Sequence, residues 1–196
     1  MIIDNVKSLN DLESVLELVN SIFPQLENGE CKYSRDFWIE KMHERPELLL
    51  CARDGGVICG TVLAWIDNGA VTVATCCVDA AYRGKGIGKA LMLEVEKRAK
   101  ALGYHGIALG AAEGAEGFYE KLGYQGSLLI QSEKHSIDEL KSFNTKYEVI
   151  YTNIYDGTVN QVCLRLPSID REFQRKYEEA FPGCSTQMVF GKTFQQ

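Results

Sequence analysis

A chain of 196 residues, 45% hydrophobic and 24% charged, has the material for one sizeable core, or for one domain with a substantial extension. A formal charge of -6 argues against a general nucleic-acid binder, which needs a concentrated basic surface, and no apolar run approaches the roughly 20 residues that span a bilayer. The opening "MIIDNVKSLNDLESVL" lacks a basic region followed by an apolar stretch, so no signal peptide is expected and the expected location is cytoplasmic.

"MIIDNV" reads as a short first strand. Asn10 and Glu13 then have capping-box spacing, and Leu12, Val15, Leu16 and Val19 repeat as the buried face of a helix that stops before Pro24. A polar connection, "QLENGECKY", leads to a second helix capped by Ser34 and closed before Pro46. The period then changes. "LLLCARD" and "VICGTVLAWI" flank Gly55-Gly56, a strong hairpin signal, and "AVTVATCCV" follows Asp67-Asn68-Gly69, so three strands form an antiparallel meander.

A helical pattern follows, with Ile87, Leu91, Val95, Ala99 and Leu102 on one face, ending near Gly103. "HGIALGA" is a short buried strand, "AEGFYEKLGY" a short helix with Phe118 on its core side, and "GSLLIQ" the next strand. Beyond Ser132, "SIDELKSF" suggests a helix, and "KYEVIYTNIY" with "VNQVCLRL" a hairpin turning at Asp156-Gly157. "SIDREFQRKYEEAF" reads as a helix capped by Ser168, with Ile169, Phe173, Tyr177 and Phe181 on one side, and "STQMVFGKTF" as a last strand. Counted from "GSLLIQ", the order strand-helix-strand-strand-helix-strand resembles a ferredoxin-like half. No Pro- or Ser-rich linker precedes this tail, so it is expected to pack on what comes before.

The chemistry-bearing segment is "CCVDAAYRGKGIGKAL", Cys76 to Leu91. Three phosphate-binding schemes compete for it. A nucleoside-triphosphate loop fails twice: Arg83 stands where its first glycine belongs, and Ala90 replaces the magnesium-binding hydroxyl. A dinucleotide fold fails because the spacing is G-x-G-x-G and the tight turns before it force antiparallel strands.

The remaining pattern, R-x-x-G-x-G carried by Arg83, Gly86 and Gly88, resembles that of the GCN5-related N-acetyltransferase (GNAT) superfamily. "VDAAYRGKGIGKAL" is similar to its acetyl-CoA motif, and "GFYEKLGY" to its second signature, commonly "FYEKLGF". The resemblance covers about residues 1 to 131. It implies a mixed α+β fold: a central, mostly antiparallel sheet flanked by helices, with a catalytic domain of residues 1–132 and a C-terminal α+β extension of residues 133–196.

It further implies acetyl-CoA as co-substrate. Backbone N–H groups of Arg83, Gly84, Lys85, Gly86, Ile87, Gly88 and Lys89 would approach the pyrophosphate where glycine leaves no Cβ in the way, and the helix dipole and the basic side chains would add to the grip. Cys76, Cys77 and Val78 would offer their main chain to the pantetheine arm, as an added strand does. The thioester carbonyl would meet a backbone N–H of Val78 or a neighbour. Tyr119 is the expected proton donor to the departing thiolate.

The general base is unassigned. Ile107 stands where some branches carry a glutamate. Glu113 and Glu116, or Glu27 and Glu30 in the polar connection, read first as solvated surface carboxylates. Ala112 and Ala80 replace an asparagine and a proline common in the family.

Seven cysteines (31, 51, 59, 76, 77, 163, 184) form no C-x-x-C pair and have no histidine at finger-like spacing, so buried thiols and no metal are expected. His43, His105 and His135 have surface or cap positions. The expected activity is transfer of an acetyl group to an amine-bearing acceptor by direct attack; the alternative is a non-catalytic acyl-CoA-binding sensor. No nucleic acid or membrane partner is expected. Tyr151, Tyr155 and Phe194, if exposed, would let the tail cover the acceptor cleft or build a homodimer interface, with ordinary core packing as the first reading of these aromatics.

Overall fold

Two glycines in succession, with φ of 57° at Gly55 and 88° at Gly56, supply the left-handed pair that a two-residue hairpin turn requires. They join β2 (Leu49–Asp54) to β3 (Val57–Asp67), which pairs in turn with β4 (Ala70–Val78), while β1 (Ile2–Asn5) pairs with the other edge of β2. All three pairings are antiparallel, as the meander predicts. The structure is a computed structural model describing residues 1–23, 34–67 and 69–194. Pro24, Glu27, Glu30, Cys31 and Asn68 lie outside the described residues.

The chain divides into two compact units, Met1–Ile107 with Thr193–Gln196, and Ala108–Lys192. The first holds β1 to β4 and three helices: α1 (Leu9–Ile22), α2 (Arg35–Glu44) and α3 (Ile87–Ala101). Short strand β5 (Gly106–Gly110) contributes residues to each unit. Helix α1 corrects the expected cap. Ser8, not Asn10, caps it, accepting from the Asp11 N–H at 3.1 Å; its buried residues are Leu12, Val15 and Leu18, while Leu16 and Val19 are half-buried. Ser34 caps α2 as expected, accepting from Phe37 N at 3.1 Å.

Helix α3 buries Ile87, Leu91, Met92, Val95 and Ala99. Each large side chain so removed from water contributes about 1.5–3 kcal/mol. Arg98 anchors its far end, donating to Glu94 Oε1 (3.0 Å), to the Asn5 side chain and to Glu47 O (3.4 Å).

The second unit holds α4 (Glu116–Lys121), β6 (Gln125–Ser132), α5 (Ile137–Ser142), β7 (Val149–Tyr155), β8 (Val159–Arg165), α6 (Arg171–Ala180) and β9 (Ser185–Thr193). Its strands lie in the order β9-β6-β8-β7, every neighbour antiparallel. Numbered from β6 this is the order 4-1-3-2 of a whole split β-α-β-β-α-β arrangement, more than the half expected. Both hydrogen-bonding neighbours of β6 therefore come from residues after Ser132.

The helix after β8 is capped by Asp170, not Ser168, because the carboxylate takes the Phe173 N–H (2.9 Å) together with Lys146 Nζ (2.7 Å) and the Tyr147 hydroxyl (2.6 Å). Lys146 first, then Tyr147 and that N–H, hold the Asp170 carboxyl well below the usual range. Phe173, Tyr177 and Phe181 meet edge-on and stacked, as their spacing predicts.

Strand β7 is the edge, and Ile150, Tyr151, Ile154 and Tyr155 are exposed on it. Phe194 follows the core-packing reading: it is buried, with Lys100 Nζ 4.9 Å from its ring centre, and its N–H bonds His105 O at 2.7 Å. Among the described residues the fold is mixed α+β, with nine strands and six α-helices. None of these helices is long and apolar enough to cross a membrane.

Candidate functional site

Strand β4 carries one extra residue, Ala74, opposite the Leu63–Ala64 step of β3. A bulge of this kind re-aims the strand beyond it. Cys76, Cys77 and Val78 follow and pair with Val62, Thr61 and Gly60. Gly60 is where the next helix comes closest. A Cβ there would lie 3.0 Å from Ile87 Cγ2 and 3.2 Å from both Leu91 Cδ1 and Cys77 O, so a side chain would crowd the start of α3 where it settles on the strand. That residue was visible as a glycine inside an apolar strand, the ordinary sign of a close approach.

The chain then turns through a single 3-10 turn, Ala80–Tyr82. Asp79 builds it: its N–H bonds Cys59 O at 3.0 Å and its carboxylate accepts from Ala81 N at 2.9 Å. This cap was also missed, though an aspartate two residues ahead of its N–H partner is the standard signal for such a turn.

Arg83, Gly84, Lys85 and Gly86 are all exposed. Arg83 Nε donates to Val78 O at 3.2 Å, and Lys85 Nζ donates to Ala81 O at 3.3 Å while lying 4.8 Å from the centre of the Tyr82 ring. Gly84 (φ 76°) and Gly86 (φ 78°) are both left-handed, and a Cβ on either would meet nothing within 4 Å. The turn's backbone thus faces open space.

Gly86 is the N-cap of α3 and offers no side chain to its first turn. The first intrahelical bond runs from Ala90 N to Gly86 O at 3.0 Å, which leaves the N–H groups of Ile87, Gly88 and Lys89 ahead of it without partners inside the helix. Ile87 itself is a buried anchor, so it can offer an anion only its backbone. An exposed double-glycine turn, two basic side chains and an uncapped 15-residue helix make an anion cradle by general chemistry. It fits a phosphorylated co-substrate.

The paired cysteines point elsewhere. Burial, then the neighbouring Cys77, pushes the Cys76 thiol up to about 12; burial pushes Cys77 up to about 11 against weaker opposing effects of Thr75 and Arg83. Neither supplies a thiolate near neutral pH, which removes them as acyl-accepting nucleophiles.

Tyr119 lies on α4 in the second unit and is only 7% exposed. Its ring meets Phe190 (centroids 5.8 Å apart), Tyr124 (5.9 Å) and Phe118 (5.0 Å). Phe118, expected on the core side, is the less buried of the two. Glu116 corrects another expectation. It is no solvated surface carboxylate but a buried group paired with Arg171, whereas Glu113 is exposed. Ile107 is buried core and cannot accept a proton. Ala112 is exposed, and its carbonyl accepts from Ala115 N at 3.0 Å. His43 and His105 are exposed, and His135 Nε2 lies 3.4 Å from Pro182 O. Among the described residues no cluster of three or more His, Cys, Asp or Glu could hold a metal ion.

Comparison with known proteins gives one family match: the model of the acetyltransferase (GNAT) family matches residues 12–124. Among solved structures the chain is similar to Ard1 from Thermoplasma volcanium (16% identity over 86% of this chain and 98% of that one, TM-score 0.55). It is similar also to PaiA N-acetyltransferase from Thermoplasma acidophilum in complex with coenzyme A (20% identity, 85% and 100% covered, TM-score 0.53). A third is the ribosomal-protein-S18-alanine N-acetyltransferase from Escherichia coli (18% identity, 86% and 95% covered, TM-score 0.51). At these identities the likenesses carry the fold.

Proposed function

The chain belongs to the acetyltransferase (GNAT) family and is an N-acetyltransferase; we propose that it moves the acetyl group of acetyl-CoA to a primary amine, on a small molecule or a protein, by direct attack in a ternary complex. One observation carries the donor: the open, left-handed turn at Gly84 and Gly86 leading into the uncapped start of α3. In this reading the backbone of Arg83, Gly84, Lys85, Gly86, Ile87, Gly88 and Lys89 holds the pyrophosphate, with Arg83 and Lys85 offsetting its charge. The main chain of Cys76, Cys77 and Val78 receives the pantetheine arm. Acetyl-CoA supplies the activated thioester when bound. The raised thiols at Cys76 and Cys77 support transfer without a covalent enzyme intermediate.

Tyr119 is proposed as the proton donor at its phenol oxygen, supported by its place in "FYEKLGY". Residues 1–132 are read as the acetyl-CoA-binding catalytic part and residues 133–196 as an extension serving the acceptor or a second copy of the chain. A cytoplasmic location completes the proposal. The test is thiol release from acetyl-CoA over a panel of amines, for wild type and Tyr119→Phe. Loss of the donor is expected to lower kcat by about 10²-fold. Acetyl-CoA binding with no turnover on any amine would replace the reading with that of an acyl-CoA-binding sensor.

A further inference from the structure

Helix α4 has only six residues, its N-cap Ala115 makes no side-chain cap bond, and Gly114 just before it is left-handed (φ 84°). A helix this short does not hold itself in water, so its register is set by what it touches. Three of its attachments run toward β9. Ala111 N, in the approach to α4, donates to Met188 O at 2.9 Å. The Tyr119 ring lies tilted at 35° against Phe190.

The third attachment is ionic. Glu116, three residues before Tyr119 on the same face of α4, is only 8% exposed, and its Oε1 meets Arg171 Nη2 in an ion pair whose two atoms are closed off from water. Arg171 opens α6 and is itself held: its Nη1 donates to Gln174 Oε1 (2.7 Å), Gln174 Nε2 donates to Thr186 Oγ1 on β9 (2.9 Å), and Thr186 donates to Glu178. The charge on Glu116 is therefore fixed by a chain of side chains from α6 to β9. A buried charge with a set partner tolerates little displacement, so the pair pins α4 in rotation as well as in place.

We propose that Arg171 is a positioning residue for Tyr119, acting through Glu116 to hold α4 in the one register that presents the phenol for proton transfer. This rests on the reading of Tyr119 as the proton donor. It assigns the extension a part in the chemistry that its sequence does not advertise.

The experiment is a double-mutant cycle on the full chain, measuring kcat, KM for acetyl-CoA and melting temperature for wild type, Tyr119→Phe, Arg171→Met and the pair combined. Arg171→Met alone is expected to lower kcat between about ten- and a hundredfold, the cost of misplacing a reacting group by about 1 Å, with KM for acetyl-CoA unchanged. In the Tyr119→Phe background the same change should cost nothing further, because there is no phenol left to position. Arg171→Lys, which keeps the charge but not the planar fork, should recover part of the loss; if Arg171→Met does not fold, this variant takes its place in the cycle. Losses that multiply in the combined variant overturn the positioning role and leave Tyr119 as donor. A Tyr119→Phe enzyme with wild-type kcat overturns the donor reading itself.

Discussion

The turn from Arg83 to Gly88 and the helix that carries Tyr119 are built by opposite means. The turn is exposed ahead of the buried Ile87, works through its backbone, and has side-chain hydrogen bonds that reach no more than five residues: Asp79 for Ala81, Val78 for Arg83, Ala81 for Lys85. Helix α4 is buried on its working face and takes its position from Arg171, Met188 and Phe190, all in the last quarter of the chain. A ligand-holding loop can be encoded in one stretch because glycine geometry is local. A side chain that must be aimed needs support from elsewhere in the fold.

The strongest way to break this contrast is to delete residues 133–196. That removes both strands beside β6 and uncovers Leu128 and Ile130, which are fully buried, so the protein is expected to be insoluble on expression. A soluble truncation that binds acetyl-CoA and turns over normally would show that α4 needs none of the supports named here.

Gly86→Val is a smaller change at the other region. Its Cβ would meet no protein atom, so the fold loses only the left-handed penalty of about 1–2 kcal/mol. Acetyl-CoA affinity, by contrast, is expected to fall by at least about tenfold, or ~1.4 kcal/mol. Calorimetric titration giving wild-type affinity would remove the turn from the binding site.

The smallest effect tests the thiols of both units, two of which, Cys76 and Cys77, lie on the strand leading into the turn. The thiols of Cys51, Cys59, Cys76, Cys77, Cys163 and Cys184 are all pushed up, by burial first. A group raised in the folded state contributes fully below its unfolded value, near pH 8.5 for a thiol, and that contribution is lost as pH climbs toward the folded value. Stability should therefore be level from about pH 6 to 8 and decline above about pH 8.5. Urea melts at intervals from pH 7 to 10 measure this; stability unchanged to pH 10 would contradict the burial of these thiols.

Much of the fold could be read from residue order, and the reason is physical. Gly55-Gly56 and Asp156-Gly157 announce hairpins because few residues tolerate their backbone angles, and both hairpins form. The caps at Ser8 and Asp170 were each placed two residues away because several polar residues compete at a helix start, and tertiary partners decide the winner. Lys146 and Tyr147 reach Asp170 and no pattern around Ser168 reveals that. The turn at Arg83 was legible as a phosphate holder because its glycines and basic residues are contiguous. Glu116 was misjudged for the converse reason: a carboxylate reads as surface until its cation is known, and Arg171 lies in another element.

Strand β9 holds a further consequence. It is the last described strand to be made, yet it lies against β6, receives the Ala111 N–H, and is followed at once by Phe194, which bonds back to His105. A nascent chain that has not yet reached β9 has none of this. The second unit therefore cannot close its sheet until β9 has been made, and β6, once paired with β8, must wait half-paired through the synthesis of α6.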